Sequence, residues 1–232
     1  MAENLHENHR ARMHERVART GMDDFAPHEV LEYLLYLAIP RQDTNPLAHR
    51  LLDHFGSLTA VLEASEEELC KVQGIGPKSA RVICTVMQVG RCYQLERTRK
   101  KRRFENAGQL TEYCVPLFYG LTDECFYLIG LDDDLRILRT MKMWQGAVNS
   151  IPVSLRRIAQ EALKMGATGV VVAHNHPAGL AAPSANDILT TVMMKESLDG
   201  LGIVLLDHII VSGEDALSMK QTRRPPWDKT GG

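Results

Sequence analysis

Apolar residues recur along this chain in two rhythms, and the change from one to the other divides it. From Pro27 to Met87 the spacing is helical. Val30, Leu31, Leu34 and Leu35 share one helix face, the polar stretch 41–46 interrupts, and Leu47, Leu51 and Leu52 resume until Gly56. Ser57 precedes a short helical run, and Ser65 can cap Glu66-Glu67-Glu68-Leu69. A further helix opens at Pro77 and carries Val82, Ile83, Val86 and Met87 on its apolar side. After residue 104 strands appear. Cys125 to Leu131 reads as a buried strand, Asp132-Asp133-Asp134 as a turn, and Leu135 to Met143 as an alternating strand. Ser154 precedes a helix with Leu155, Ile158, Ala159, Ala162 and Leu163 on one face, closing near Gly166. Gly169 to Ala173 is an apolar, β-branched central strand. Ser184 starts a helix with Ile188, Leu189, Val192 and Met193 on one face, and 203–206 and 209–211 are final strands.

The pattern predicts an α+β protein of two domains, all-α and then mixed α/β. Its parts are a polar arm (1–22), a helical domain (23–96), a basic linker (97–104) and the α/β domain (105–232). The arm carries Arg10, Arg12, Arg16 and Arg19 with His6, His9 and His14, and reads as a frayed, solvated helix, with contact to nucleic-acid phosphate as the alternative. Of 232 residues, 44% are hydrophobic, enough for real cores. The formal charge of −2 gives no global attraction to nucleic acid, so local runs must carry that case. No apolar run approaches the ~18 residues of a membrane span, and the first twenty residues lack the apolar stretch of a secretory signal. Five cysteines without a C-x-x-C pair read as buried or partly buried thiols in a reducing cytoplasm. No Walker-type loop, G-x-G-x-x-G or G-x-S-x-G is present.

The candidate chemistry lies just after the central strand, in His174-Asn175-His176-Pro177. Side chains two apart on an extended segment point the same way, so both imidazoles can reach one ion. Asp187, eleven residues after His176, can fold back as a third ligand. Two histidines and a carboxylate, with a fourth position for water, is the composition of a catalytic rather than a structural zinc site. Ser184 and Asp187 also fit a helix cap with an acidic third residue, a reading compatible with the first.

Two further stretches in the first half bear on nucleic acid. Gly74-Ile75-Gly76-Pro77-Lys78 resembles the turn of a helix-hairpin-helix module. Glycines permit close backbone approach, and the free amides of the following helix, with Lys78 beside them, suit a phosphate. The alternative is a tight turn between packed helices. Arg97 to Arg103, including Arg99, Lys100, Lys101, Arg102 and Arg103, is either a solvated linker or a salt-sensitive contact with DNA.

The string His174-x-His176-Pro177, six residues, Ser184, two residues, Asp187 resembles the signature of the JAMM (MPN-domain) metalloproteases. AHNHPAG, with LLDHIIVSG downstream, is similar to the RadC branch, bacterial proteins long labelled DNA repair proteins; Ala178 stands where that branch commonly has Ser. The resemblance implies a JAMM/MPN (cytidine-deaminase-like) fold and one Zn2+ held by His174, His176 and Asp187. It implies hydrolysis of a peptide or isopeptide substrate, with Glu124 as general acid/base and Ser184 supporting the oxyanion. Asp123 and Glu112 are other carboxylates near Glu124. Two further readings remain: a DNA-binding repair accessory with a structural or vestigial metal, and phosphodiester hydrolysis, which the few carboxylates of the loop disfavour. Asp207-His208 is read as structural, or at most as support for the metal ligands.

Overall fold

A computed structural model describes residues 5–98, 103–146 and 154–227. The chain divides into two compact units, Met1–Gly90 and Arg91–Gly232, each with its own core.

In the first unit the predicted periodicities become short helices. α1 (Leu5–Thr20), α2 (Pro27–Leu35), α3 (Asn45–Phe55), α4 (Leu58–Glu63) and α5 (Glu66–Leu69) precede α6 (Pro77–Thr98), inside which the division at Gly90 falls. Leu31 and Leu35 of α2, Leu47 and Leu51 of α3, Val61, Leu69 and Ile83 form the core. Gly56 ends α3 at φ 84°, a left-handed conformation that glycine adopts without strain.

The frayed arm expected from the sequence is instead a docked helix. Arg10 of α1 donates to the carbonyls of Ile39 (2.9 Å) and Gln42 (2.9 Å), just beyond α2. Arg16 pairs with Glu29 at 2.6 Å, and His9 Nε2 lies 2.9 Å from the buried Glu32. The physical reason is that a polar helix can be held by partners that helical periodicity does not register: exposed carbonyls at a helix end and one buried carboxylate. Glu32 also accepts from Tyr36 Oη and Asn45 Nδ2, so its charge is fully partnered.

The second unit is a five-stranded mixed sheet in the order β2-β1-β3-β4-β5. Its elements are α7 (Ala107–Cys114) with a 3-10 turn (Val115–Leu117), β1 (Glu124–Leu131), β2 (Ile137–Gly146), α8 (Leu155–Met165), β3 (Gly169–Asn175), α9 (Ala185–Asp199), β4 (Val204–Ser212) and β5 (Asp215–Ser218). The two final strands read at 203–206 and 209–211 are one continuous β4, whose pairing with β3 shifts register at Val170/Val171. The sequence reading also lacked α7 and the short β5.

β3 is buried along its whole length and lies between β1, antiparallel, and β4, parallel. The parallel pair requires a crossover, which α9 supplies. Tyr127, Ile129, Val171, Ala173, Ile209 and Val211 face one side, toward Leu110, Tyr113 and Cys114 of α7. Phe126, Leu128, Val170 and Val172 face the other, toward Ile158 and Ala162 of α8 and Met194 and Leu198 of α9; Trp227 packs there too. Strand alternation thus sends even-numbered residues of β1 and β3, His174 among them, to the side covered by α8 and α9.

Two further expectations change. The buried stripe of α9 is Asp187, Thr191, Met194 and Leu198, whereas Leu189 and Met193 are exposed. Cys70 and Cys92 are exposed, while Cys84 is half-buried, Cys114 and Cys125 are buried, and none of the five is bridged. Among the described residues no helix is long and apolar enough to cross a membrane.

Candidate metal centre

Three donor side chains meet where the end of β3 passes the start of α9. His174 is fully buried in β3, Asp187 is buried in the first turn of α9, and His176, just past the strand, is half-buried. Their ligand atoms lie within 4.8 Å of one another. His174 Nε2 is 2.9 Å from His176 Nε2 and 3.2 Å from Asp187 Oδ1; His176 Nε2 is 3.5 Å from Asp187 Oδ2. Tetrahedral ligands about 2.0–2.1 Å from a zinc ion stand roughly 3.3 Å apart, so this spacing fits three ligands of a single ion.

The backbone explains why these residues meet. His176 N donates to Val211 O (2.8 Å), extending the β3–β4 ladder one residue past the strand. His176 Nδ1 is 3.0 Å from the Leu180 carbonyl, which can only accept. The proton therefore sits on Nδ1, and in the neutral ring Nε2 carries the lone pair facing the cluster. Asp187 is the third residue of α9 and is held by a capping box. Ser184 N and Oγ both donate to Asp187 Oδ2 (2.7 and 2.6 Å), and Asp187 N donates to Ser184 Oγ (3.1 Å). With Oδ2 so engaged, Oδ1 is the oxygen more open to an ion.

Burial would raise the Asp187 carboxyl, but the adjacent imidazoles of His174 and His176 outweigh it and hold the group well below the usual carboxylate range. The same carboxylate raises His176 against the opposing effect of burial, with help from the Leu180 carbonyl and the charge of Glu124. Complete burial, followed by the neighbouring His174, pushes His208 well below the ordinary imidazole value, so that ring is neutral. A pair of imidazoles and an ionised carboxylate converging in a buried corner is a donor set that a divalent cation satisfies.

Glu124 is the first residue of β1 and is half-buried. Phe126 pairs with His174 in the antiparallel register, so Glu124 stands at the level of His176, on the same side of the sheet. Its position depends on Asn175, which the sequence reading passed over. Between the two histidines, the Asn175 side chain points the opposite way, accepts from Cys125 N (2.7 Å) and donates to Asp123 O (3.0 Å). It thus clamps both sides of Glu124. The signal was available: a polar residue at i+1 between two ligands must face the other side of the strand and there requires a partner.

His208 and Thr191 also belong to the centre. His208 Nε2 is 2.8 Å from His174 Nδ1, and His208 Nδ1 is 2.6 Å from Thr191 Oγ1. Asp207 turns elsewhere and accepts from Lys220 N (3.1 Å), His208 N (2.7 Å) and Ser218 Oγ. Sequence spacing could reveal Thr191, four residues after Asp187 on the same helix face; His208 is brought in only by the β3–β4 pairing.

The proposed nucleic-acid residues lie elsewhere. Gly74, exposed, and Gly76, half-exposed, lie at the turn before α6, and Lys78, exposed, is in its first turn. Gly74 has φ 93°, a left-handed conformation that favours glycine, and a Cβ there would have to displace the tip of the Leu47 side chain, 2.5 Å away. Arg103 is exposed and bridges to Arg136, and Arg99, Lys100, Lys101 and Arg102 lie outside the described residues.

Comparison with known proteins agrees with this architecture. The family model "RadC-like JAB domain" matches residues 104–224, and that of a "SAM-like Helix-hairpin-helix tandem" matches 46–85. A UPF0758 protein of Ruegeria pomeroyi is 32% identical over 217 residues, covering 92% of this chain and 95% of its own. A UPF0758 protein of Acidithiobacillus ferrooxidans is 30% identical over 210 residues (90% and 94%), and one of Burkholderia mallei 31% over 207 (89% and 74%). With the three donors inside the matched domain and relatives aligned along nearly the whole length, this chain belongs to the RadC-like JAB-domain family.

Proposed function

We propose that the chain is a metal-dependent amide hydrolase, a JAMM-type peptidase or isopeptidase, with one zinc ion as its cofactor. The observation that supports this best is the convergence of His174, His176 and Asp187 with a separate carboxylate, Glu124, at the same end of the sheet. The three donors would hold the ion, which when bound supplies a Lewis acid that lowers the pKa of water from about 15.7 to about 7. Glu124 would take the proton of the attacking water and deliver it to the leaving amine. Ser184 would donate to the developing oxyanion. Its hydroxyl proton is directed at Asp187 Oδ2, so that task requires rotation away from the carboxylate. Five unbridged cysteines support a cytoplasmic setting.

The test is elemental analysis of protein purified without chelator or metal-affinity tag, beside a His174→Ala/His176→Ala control. Hydrolysis of a linear peptide library and of a Gly–Nε-lysine isopeptide is then assayed. About one zinc per chain, absent in the control, with amide cleavage that Glu124→Gln slows roughly 10²–10⁴-fold, is the expected result. No zinc uptake by the wild type would reject the reading.

A second activity is proposed for the first unit: contact with nucleic-acid backbone, without sequence readout, by Gly74, Gly76 and Lys78; the basic run 99–103 is a separate candidate contact. The tight left-handed turn at Gly74, leading into the amides at the start of α6 beside an exposed lysine, favours it. Anisotropy titration of duplex DNA should show affinity that falls steeply with salt and is lost on neutralising Lys78 and residues 99–103. Salt-independent binding, or none, would reject it.

A further inference from the structure

The hydrogen bonds behind the metal centre form a chain that runs from one proposed ligand to another, and its direction follows from the chemistry of its links. Thr191 Oγ1 contacts the Asp187 backbone carbonyl, His208 Nδ1 (2.6 Å) and, weakly, Met219 Sδ (3.8 Å). A hydroxyl has one proton, and a carbonyl can only accept. The Thr191 proton therefore goes to the Asp187 carbonyl, and the Thr191 oxygen accepts from a protonated His208 Nδ1. In a neutral imidazole the other nitrogen is then an acceptor, so His208 Nε2 accepts from His174 Nδ1, 2.8 Å away. His174 in turn keeps a lone pair on Nε2, the atom 3.2 Å from Asp187 Oδ1.

We propose that Thr191 and His208 are positioning residues that lock His174 in its Nδ1–H tautomer and so aim an unprotonated Nε2 at the metal centre. The inference rests on the metal-site reading above and deepens it. The chain is closed, because Asp187 supplies both the acceptor for Thr191 and a donor atom of the centre, so helix α9 couples the geometry of one ligand to the tautomer of another. All the links are buried: Thr191 and His174 at 0% exposure, His208 at 1% and Asp187 at 6%. Water is therefore a poor substitute for any of them. A hydroxyl at 191 matters because it alone presents an acceptor to His208 while its proton is engaged elsewhere. Without it, His208 gains by moving its proton to Nε2, which forces the His174 proton onto the nitrogen that should bind metal.

The test uses the full chain with 15N-labelled histidine. Long-range 1H–15N spectra of the metal-free protein read each tautomer directly. Zinc affinity is measured in parallel by chelator competition, for wild type, Thr191→Val and Thr191→Ser. His174 should be protonated at Nδ1 in the wild type. Thr191→Val, nearly isosteric, should shift His174 toward Nε2–H and weaken zinc binding about 10–100-fold, the range for loss of a group supporting a metal ligand. Thr191→Ser, which keeps the hydroxyl, should restore both. A wild-type His174 protonated at Nε2 would overturn the proposal, as would a folded Thr191→Val protein with unchanged tautomer and affinity. The tautomer is read without metal, so failure of the wild type to take up zinc would reject the hydrolase reading while the tautomer still decides this one.

Discussion

Glu124 and His176 show how much of the expected chemistry rests on single side chains. Glu124 is not among the three clustered donors, so Glu124→Gln should keep its zinc and lose roughly 10²–10⁴-fold in turnover, the usual contribution of a general acid/base. Zinc retention measured beside kcat separates this from a folding defect; equal loss of both would make Glu124 a ligand instead. His176 carries a sign-definite pH prediction. Asp187 raises its pKa above the unfolded imidazole value, so in the metal-free protein this contribution to stability is full below about pH 6.5 and is lost as pH rises through the raised value. Asp187, lowered by the same partners, contributes above about pH 3.9 and loses that contribution as pH falls further. Metal must displace the His176 proton, so zinc affinity should fall as pH drops through the raised pKa. Calorimetry in buffers of different ionisation enthalpy would report the proton released, and a pH-independent affinity would contradict the assignment.

At the scale of elements, the site is made by three ends: β3 running past its neighbours, α9 beginning, and β1 beginning. Asn175 joins the first to the third. Asn175→Ala leaves the buried Cys125 amide without its acceptor, at a cost of about 1–3 kcal/mol. It also frees the start of β1, so the turnover of the zinc-loaded protein should fall while zinc affinity stays near wild type. Ser184 ties α9 to its own ligand. Ser184→Ala should destabilise by about 0.5–2 kcal/mol through the lost cap. A fall in kcat beyond about 10²-fold would add the oxyanion role; unchanged kcat would leave only the cap.

At the scale of the whole molecule, two units with separate cores answer to different perturbations. A metal that binds only the folded state stabilises by mass action, about 2.7 kcal/mol at 100 times its Kd. Zinc at that excess should raise the thermal midpoint of the unit that holds His174, His176 and Asp187 by several degrees, and a chelator should reverse it; calorimetry of the His174→Ala/His176→Ala protein should show no such shift. Glu32, buried under α1, belongs to the other unit. Glu32→Ala leaves His9, Tyr36 and Asn45 without their acceptor and should destabilise that unit without changing zinc affinity.

The sequence by itself determined a good deal. Helical spacing in the first half and the unbroken apolar runs of β1 and β3 follow from local periodicity, because burial on one or both faces selects residue type. His174, His176 and Asp187 were legible for the same kind of reason: two side chains on one face of a strand end and a carboxylate in a capped first turn are local geometry. Tertiary structure alone decided the rest. The core stripe of α9 contains Asp187 and Thr191 rather than Leu189 and Met193, since polar groups that find buried partners displace apolar ones from the inward face. The arm became a docked helix because Arg10 and Arg16 found carbonyls and carboxylates distant in sequence. His208 reached His174 across 34 positions through a parallel strand pair, a partnership that no local pattern encodes because it is set by register between strands.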